Sequence, residues 1–305
     1  MPQALPYRDF NSYLQERFGE RVQKIALDAG LSCPNREQGR ACIYCNQRGS
    51  GSGAHARGQG LADQIEETIK VMRAKYGAAK FLAYFQSYTN THASLPELER
   101  IFGCIRPYAE IVGLAIGTRP DCIDSAKLDL IARVAGERLV IMEYGLQTAN
   151  DATLARIQRG HDVASFVEAV GLTARQTDFR ICGHAIIGLP GETEQDYMAT
   201  ARLLASLPVT DVKLHLLYVC RDTPLAELHE SGGYAPLELA DYTEFAARFV
   251  ACLRPDQVVQ RLISVPQADD LIAPRWLLRK QAVRANLLGG FKRLNLSQGC
   301  SYAPV

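Results

Sequence analysis

Two rhythms of apolar and polar positions take turns along this chain. KIALDAG (24–30) is a short apolar run, LADQIEETIKVMRAKYG (61–77) returns its apolar residues every three to four positions, and KFLAYFQ (80–86) is short and β-rich. The alternation then repeats. Residues 95–109 read as helix and 111–117 as strand, 125–136 as helix and 138–146 as strand, 162–176 as helix and 179–188 as strand, 193–207 as helix and 211–218 as strand. The spacing predicts six strands, each followed by a helix.

Strands that are apolar on both faces and alternate with helices indicate a parallel sheet covered by helices, either doubly wound or a whole or partial barrel. No G-x-G-x-x-G follows the first strand, so a dinucleotide fold loses its main support. The first strand instead runs straight into a loop rich in cysteine. A barrel of six βα units places every strand-to-helix loop at one rim, and the unusual residues of this sequence fall in those loops. We therefore expect an α/β protein with a partial (β/α)6 barrel. Residues 1–22 form an N-terminal extension and 23–233 the core, with a boundary at SGGY (231–234). Residues 234–305 form a C-terminal α/β extension packed on the core, with a helix at 237–253, a strand-like run at 257–265 and a basic helix at 275–288. GSGSGA (49–54) lacks the Lys-Ser/Thr ending of a phosphate loop and reads as a flexible lid or spacer.

With 47% apolar and 22% charged residues among 305, the composition is that of a globular protein and excludes disorder as the main state. No run approaches the roughly 20 apolar residues of a spanning helix, so the expectation is a soluble, cytoplasmic protein with no membrane partner. The net charge of +1 conceals an uneven distribution. No acid follows Asp270, while Arg275, Arg279, Lys280, Arg284, Lys292 and Arg293 do, which supplies either a local basic surface or a solvated helix face.

Of nine cysteines, Cys104, Cys122, Cys182, Cys220, Cys252 and Cys300 are scattered singly, as small buried residues commonly are. Cys33, Cys42 and Cys45 crowd together without a partner for regular pairing, which suggests metal ligation. Three arrangements fit. A structural zinc site needs a fourth ligand, for which His55 is the nearby choice. A thioredoxin-like pair of Cys42 and Cys45 leaves Cys33 unexplained. A 4Fe-4S cluster on three cysteines leaves one iron open to a substrate or cofactor.

CPNREQGRACIYC (33–45) resembles the cluster loop of radical S-adenosylmethionine (SAM) enzymes, with the elongated spacing of the elongator-catalytic-subunit group, and the resemblance extends over residues 7–300 toward oxygen-independent coproporphyrinogen oxidase. It implies Cys33, Cys42 and Cys45 as cluster ligands and Tyr44 beside the SAM adenine. In YFQSYTNT (84–91), Gln86, Ser87 and Thr89 stand where the superfamily has a Gly-rich motif for the SAM amino group. GTRPD (117–121) offers Thr118 and Arg119 to the methionine moiety. EYGLQT (143–148) places Gln147 at the SAM ribose, with Glu143 opening the motif. Arg159 matches an arginine that contacts SAM in the oxidase relatives. In GHAIIGLPGET (183–193), His184 replaces an acid and the backbone near Ile187 and Gly188 would face the adenine. Taken singly, these residues have plainer readings: Gly188, Pro190 and Gly191 a turn, Glu143 a paired strand carboxylate, His215 a satisfied core histidine.

The resemblance further implies that the reduced cluster cleaves SAM, that a deoxyadenosyl radical takes a hydrogen atom from the substrate, and that an external donor such as flavodoxin or ferredoxin supplies the electron. The loop spacing and basic tail together favour a transfer RNA wobble uridine with a side chain at carbon 5, with Tyr218 and Trp276 as stacking aromatics. A radical SAM oxidoreductase acting on a porphyrin-like or carboxylated metabolite and a zinc-stabilised binding protein are the alternatives. No acetyltransferase domain follows the barrel, so the elongator group's acetyl transfer is not expected.

Overall fold

The computed structural model describes residues 5–46, 49, 51 and 53–304. The first four residues of the expected N-terminal extension, the last residue of the C-terminal one and part of the 49–54 spacer lie outside the described residues. Seven parallel strands form one sheet: β1 Val22–Leu27, β2 Lys80–Phe85, β3 Ile111–Thr118, β4 Leu139–Gln147, β5 Arg180–Ile187, β6 Asp211–Leu216 and, after a two-stranded excursion β7 Val219–Cys220, β8 Val258–Arg261. Strand order follows chain order, β1-β2-β3-β4-β5-β6-β8, with β7 pairing antiparallel to β9 (Leu271–Ala273). The strand-like run at 257–265, read from the sequence as part of an appendix, is thus the seventh strand of the main sheet. Its first residues continue the parallel ladder of β6, Asp211 opposite Val258.

The sheet is curled. In a flat sheet, β1 and β8 would lie about 29 Å apart at ordinary strand spacing. Yet Lys24 Nζ of β1 donates to Gln260 Oε1 of β8 at 2.9 Å, a contact made across the interior of a half-barrel. The open side is covered at its lower end by α1 (Phe10–Phe18), reached through a bridge from Asp9 to Val259 and capped by the Asp9 carboxylate on Asn11 N and Ser12 N. Phe10 and Leu14 of α1 pack with Val22, Leu82, Ile141 and Val258 to close the bottom of the barrel.

Outward-facing strand residues bury against α3 (Leu61–Tyr76), α4 (Leu95–Gly103), α5 (Ser125–Ala135), α7 (Val163–Gln176), α8 (Glu194–Ser206) and α10 (Leu239–Ala251). α4 shows why the pattern was readable: Leu98, Ile101 and Phe102 fall at helical spacing on its buried face, and Phe102 meets Phe85 edge-on at 5.1 Å. The strand-to-helix loops end in polar caps that fix where each loop stops. Asp124 accepts from Lys127 N, Asp162 from Ser165 N, and Thr193 with Asp196 forms a capping box at α8. Asn150 likewise accepts from Thr153 N to start α6 (Asp151–Arg156). Among the described residues no helix is long and apolar enough to cross a membrane.

Candidate active site

A cavity of about 470 Å³ opens at the carboxyl ends of the strands. Its wall includes all three crowded cysteines. Cys33 ends the loop after β1 and precedes the single-turn helix α2 (Pro34–Glu37); Cys42 and Cys45 sit on one turn closed by Cys45 N to Cys42 O at 2.9 Å. Guanidinium groups face two of the sulfurs, Arg36 Nη2 at 3.6 Å from Cys45 Sγ and Arg159 Nη1 at 3.7 Å from Cys42 Sγ. Burial pushes the Cys45 thiol up, against the Arg36 hydrogen bond that draws it down.

The cysteine loop is pinned to the rim. The buried Asn35 side chain donates to the Gln158 and Arg159 carbonyls at 2.8 and 3.0 Å, and Arg119 reaches Asn35, the Gly160 carbonyl (2.8 Å) and, through two nitrogens, Asp121 (2.9 and 2.6 Å). Gly160 adopts φ +76°, and a Cβ there would stand 2.2 Å from Asn35 Oδ1, so the contact requires glycine twice over. Tyr88, Gln147 and Gln158 also take left-handed backbone around this cavity, a conformation that is uncommon outside glycine and gathers at functional sites.

Tyr44, Gln86, Thr118, Glu143, Gln147, Arg159 and His184 all line the cavity, together with Thr89 and Arg119. Thr118 is buried, its hydroxyl 2.6 Å from that of Thr91. Ser87 and Gly188 are placed elsewhere: Ser87 is buried outside the wall, and Gly188 turns toward Leu217 and Leu237, its carbonyl accepting from the Tyr234 hydroxyl at 2.9 Å. β5 sends His184 and Ile186 into the wall, while the side chain of Ile187 packs into the outer core. His55 packs its ring on Gly30 and is not among the described residues lining the cavity.

Below the rim lies a polar layer that periodicity could not show. Inward-facing Lys24, Tyr84, Glu143, His184, Lys213 and His215 occupy the level above the apolar plug. The fully buried Glu143 carboxylate pairs with Lys213, accepts from His184 Nε2 at 3.0 Å and has Lys24 Nζ 3.9 Å from its second oxygen. Burial alone would raise Glu143, but Lys213, Lys24 and His184 hold it well below the usual carboxylate range. Burial and Lys213 lower Lys24 to about 7, and burial lowers His184 to about 4. Glu143, Cys182 and His184 bring potential metal donors within 4.8 Å of one another, but Lys213 already holds the carboxylate a cation would need. His215, which reads as a core histidine, is in the cavity wall, beside Arg261 and Ser264. Neither of these two was singled out in the sequence, since a lone arginine and serine in a strand-like run carry no spacing signal. Tyr218 also lines the cavity, whereas Trp276 packs half-buried on Tyr242 and donates to the Leu237 carbonyl at 3.3 Å, which leaves its ring occupied in the core.

Curled sheet, carboxyl-rim cavity and cysteine loop together describe a radical SAM barrel, and comparison with known proteins agrees. The sequence profile of the Radical SAM superfamily matches residues 31–204, and that of the Radical_SAM C-terminal domain matches 209–288. The chain belongs to the radical SAM superfamily. It is 35% identical over 280 residues to the uncharacterized protein YtqA of Bacillus subtilis, spanning 91% of this chain and 87% of that protein. It is 28% identical over 155 residues to a tRNA uridine(34) acetyltransferase of Dehalococcoides mccartyi, spanning 50% of this chain and 33% of that one. The solved structure of Elp3 from Methanocaldococcus infernus shares the fold at a TM-score of 0.64 and 17% identity, over 78% of this chain and 59% of that chain. The protein is accordingly an enzyme of the superfamily, whose cofactors are a 4Fe-4S cluster and SAM.

Proposed function

We propose that Cys33, Cys42 and Cys45 ligate the cluster, that SAM lies in the rim cavity, and that the substrate is a transfer RNA wobble uridine bearing a side chain at carbon 5. The observation that carries the site assignment is the donor set itself: three cysteines on one cavity wall, with Arg36 and Arg159 directed at two of the sulfurs to balance thiolate charge. The wall also fits a polar cofactor. The Tyr44 hydroxyl and Arg159 Nε are buried there without a protein partner, and a Cβ on Gly145 would strike Arg159 and Gln147 at 2.5 Å, so glycine leaves both polar groups their place.

When bound, the cluster and SAM supply one-electron chemistry and radical abstraction of a hydrogen atom. The chain's own residues do the rest. Tyr44 provides an aromatic face for the adenine, Gln147 a polar group for the ribose, Gln86 and Thr118 polar atoms for the methionine end, and Arg159 a fixed cation between the Cys42 sulfur and the Gly145 carbonyl. Asn35 and Arg119 keep the loop registered to the rim, and the apolar plug under the polar layer excludes water from below. An external one-electron donor such as flavodoxin or ferredoxin completes the cycle.

For RNA, the supporting observation is the last helix, α11 (Lys280–Leu294), and its approach. Arg275, Arg279, Lys280, Arg284, Lys292 and Arg293 are all exposed, and among the described residues none forms an ion pair, so their charge is available to phosphates. The likeness to a tRNA uridine(34) acetyltransferase points the same way. Deleting the gene and comparing modified nucleosides of total tRNA by mass spectrometry tests it. Loss of one uridine derivative with accumulation of its precursor is expected; an unchanged profile would contradict the RNA substrate and favour a small carboxylated metabolite.

A further inference from the structure

Among the described residues, Arg261 lines the cavity with neither a carboxylate nor a cysteine sulfur beside it. Glu143 is engaged by Lys213, Lys24 and His184, and Asp270, the other acid in the wall, forms no ion pair with Arg261. Arg261 extends from the end of β8 into the cavity, its Nη2 lying 3.2 and 3.0 Å from the two ring nitrogens of His215 and its Nε buried without a partner. Among the described residues it makes no ion pair at all. His215 in turn stands 3.2 Å from Ser264 Oγ and lies beside His184, the ring centres 5.2 Å apart and the planes tilted by 31°. Burial, then Arg261 and His184, push His215 well below its ordinary range, so it contributes no second positive charge. Lys213, Lys24 and His184 thus share the Glu143 carboxylate, while the partly buried Arg261 guanidinium faces the cavity with no carboxylate beside it.

A guanidinium is costly to keep there without an anion, and its planar fork matches a carboxylate. A phosphate dianion calls for more donors than one arginine and one hydroxyl offer. We propose that Arg261, with Ser264 and His215, forms a subsite on the wall built by β6 and β8 that binds a carboxylate carried by the substrate. The subsite rests on the reading of this cavity as the place where substrate meets SAM, and it adds what the substrate must carry.

The test uses the cluster-reconstituted protein and two acid and ester pairs, 5-carboxymethyluridine with its methyl ester and N-acetylglycine with its methyl ester, titrated calorimetrically. The expected result is an acid preference of at least tenfold, abolished in Arg261→Gln and partly retained in Arg261→Lys, with SAM binding unchanged in both variants. Equal binding of acid and ester by the wild-type protein would overturn the proposal, as would a preference that Arg261→Gln leaves intact. Loss of SAM binding in Arg261→Gln would overturn it too, by moving Arg261 to the SAM site. Displacement of the acid by inorganic phosphate at lower concentration than by acetate would overturn the choice of carboxylate. A preference found with the N-acetylglycine pair alone would support the subsite while removing the uridine.

Discussion

Single residues carry most of the chemistry, and some of them hold unusual charge states. Glu192, in the loop after β5, accepts a 2.5 Å hydrogen bond from Thr148 at the end of β4, yet its second oxygen is buried without a partner. Burial, outweighing the Thr148 bond, raises its carboxyl from 4.5 to about 7. The folded state therefore holds a proton that the unfolded chain has released between these values, and the group's contribution to stability is full below pH 4.5 and is lost as pH rises through 7. Glu192→Gln removes this dependence. Relative to wild type, the variant should gain roughly 1–2 kcal/mol between pH 4.5 and 8, allowing for the solvent that still reaches the group. Urea midpoints of both proteins across that range measure it; a constant difference would contradict the assignment. The cysteines were legible at this scale because their spacing is local. Arg261 was not, because its partner His215 lies 46 positions away in the chain and meets it only when β6 pairs with β8.

At the scale of elements, periodicity identified β1 to β6, since each side chain's direction follows from its place in the chain, and marked 257–265 as strand-like without placing it in the main sheet. It could not reveal that α1 plugs the barrel. That role depends on β1 and β8 approaching each other, a contact between residues 236 positions apart. Leu14 of α1 is 2% exposed in the inner cluster. Leu14→Ala should cost about 2–5 kcal/mol, read from thermal or urea unfolding. Because the plug lies at the amino ends of the strands and the cysteines at the carboxyl ends, iron bound per folded molecule should not change. A matched fall in iron content among molecules still folded would show that the two ends are coupled.

For the molecule as a whole, the inner surface of the half-barrel is graded from apolar at the α1 plug, through the Lys24–Glu143–Lys213 layer, to the cysteine rim. The grading confines reactive chemistry to one end and keeps charge paired below it, with Arg261 the exception. The outer surface adds the exposed basic stretch around α11, so the cavity and a basic face belong to one chain. The resemblance in the loop motifs announced the superfamily, and the fold bears it out; the polar layer had no sequence signature because its six members sit on five different strands.

A cluster held by the three-cysteine loop would make this protein cleave SAM reductively. Anaerobic reconstitution with iron and sulfide, followed by reduction with dithionite in the presence of SAM, tests it through 5′-deoxyadenosine measured by mass spectrometry. About four irons per chain and 5′-deoxyadenosine are expected from the wild-type protein. In Cys42→Ala neither product nor retained cluster is expected, with the circular dichroism of the barrel preserved. A protein that binds about one zinc and no iron, or a Cys42→Ala variant that still cleaves SAM, would contradict it.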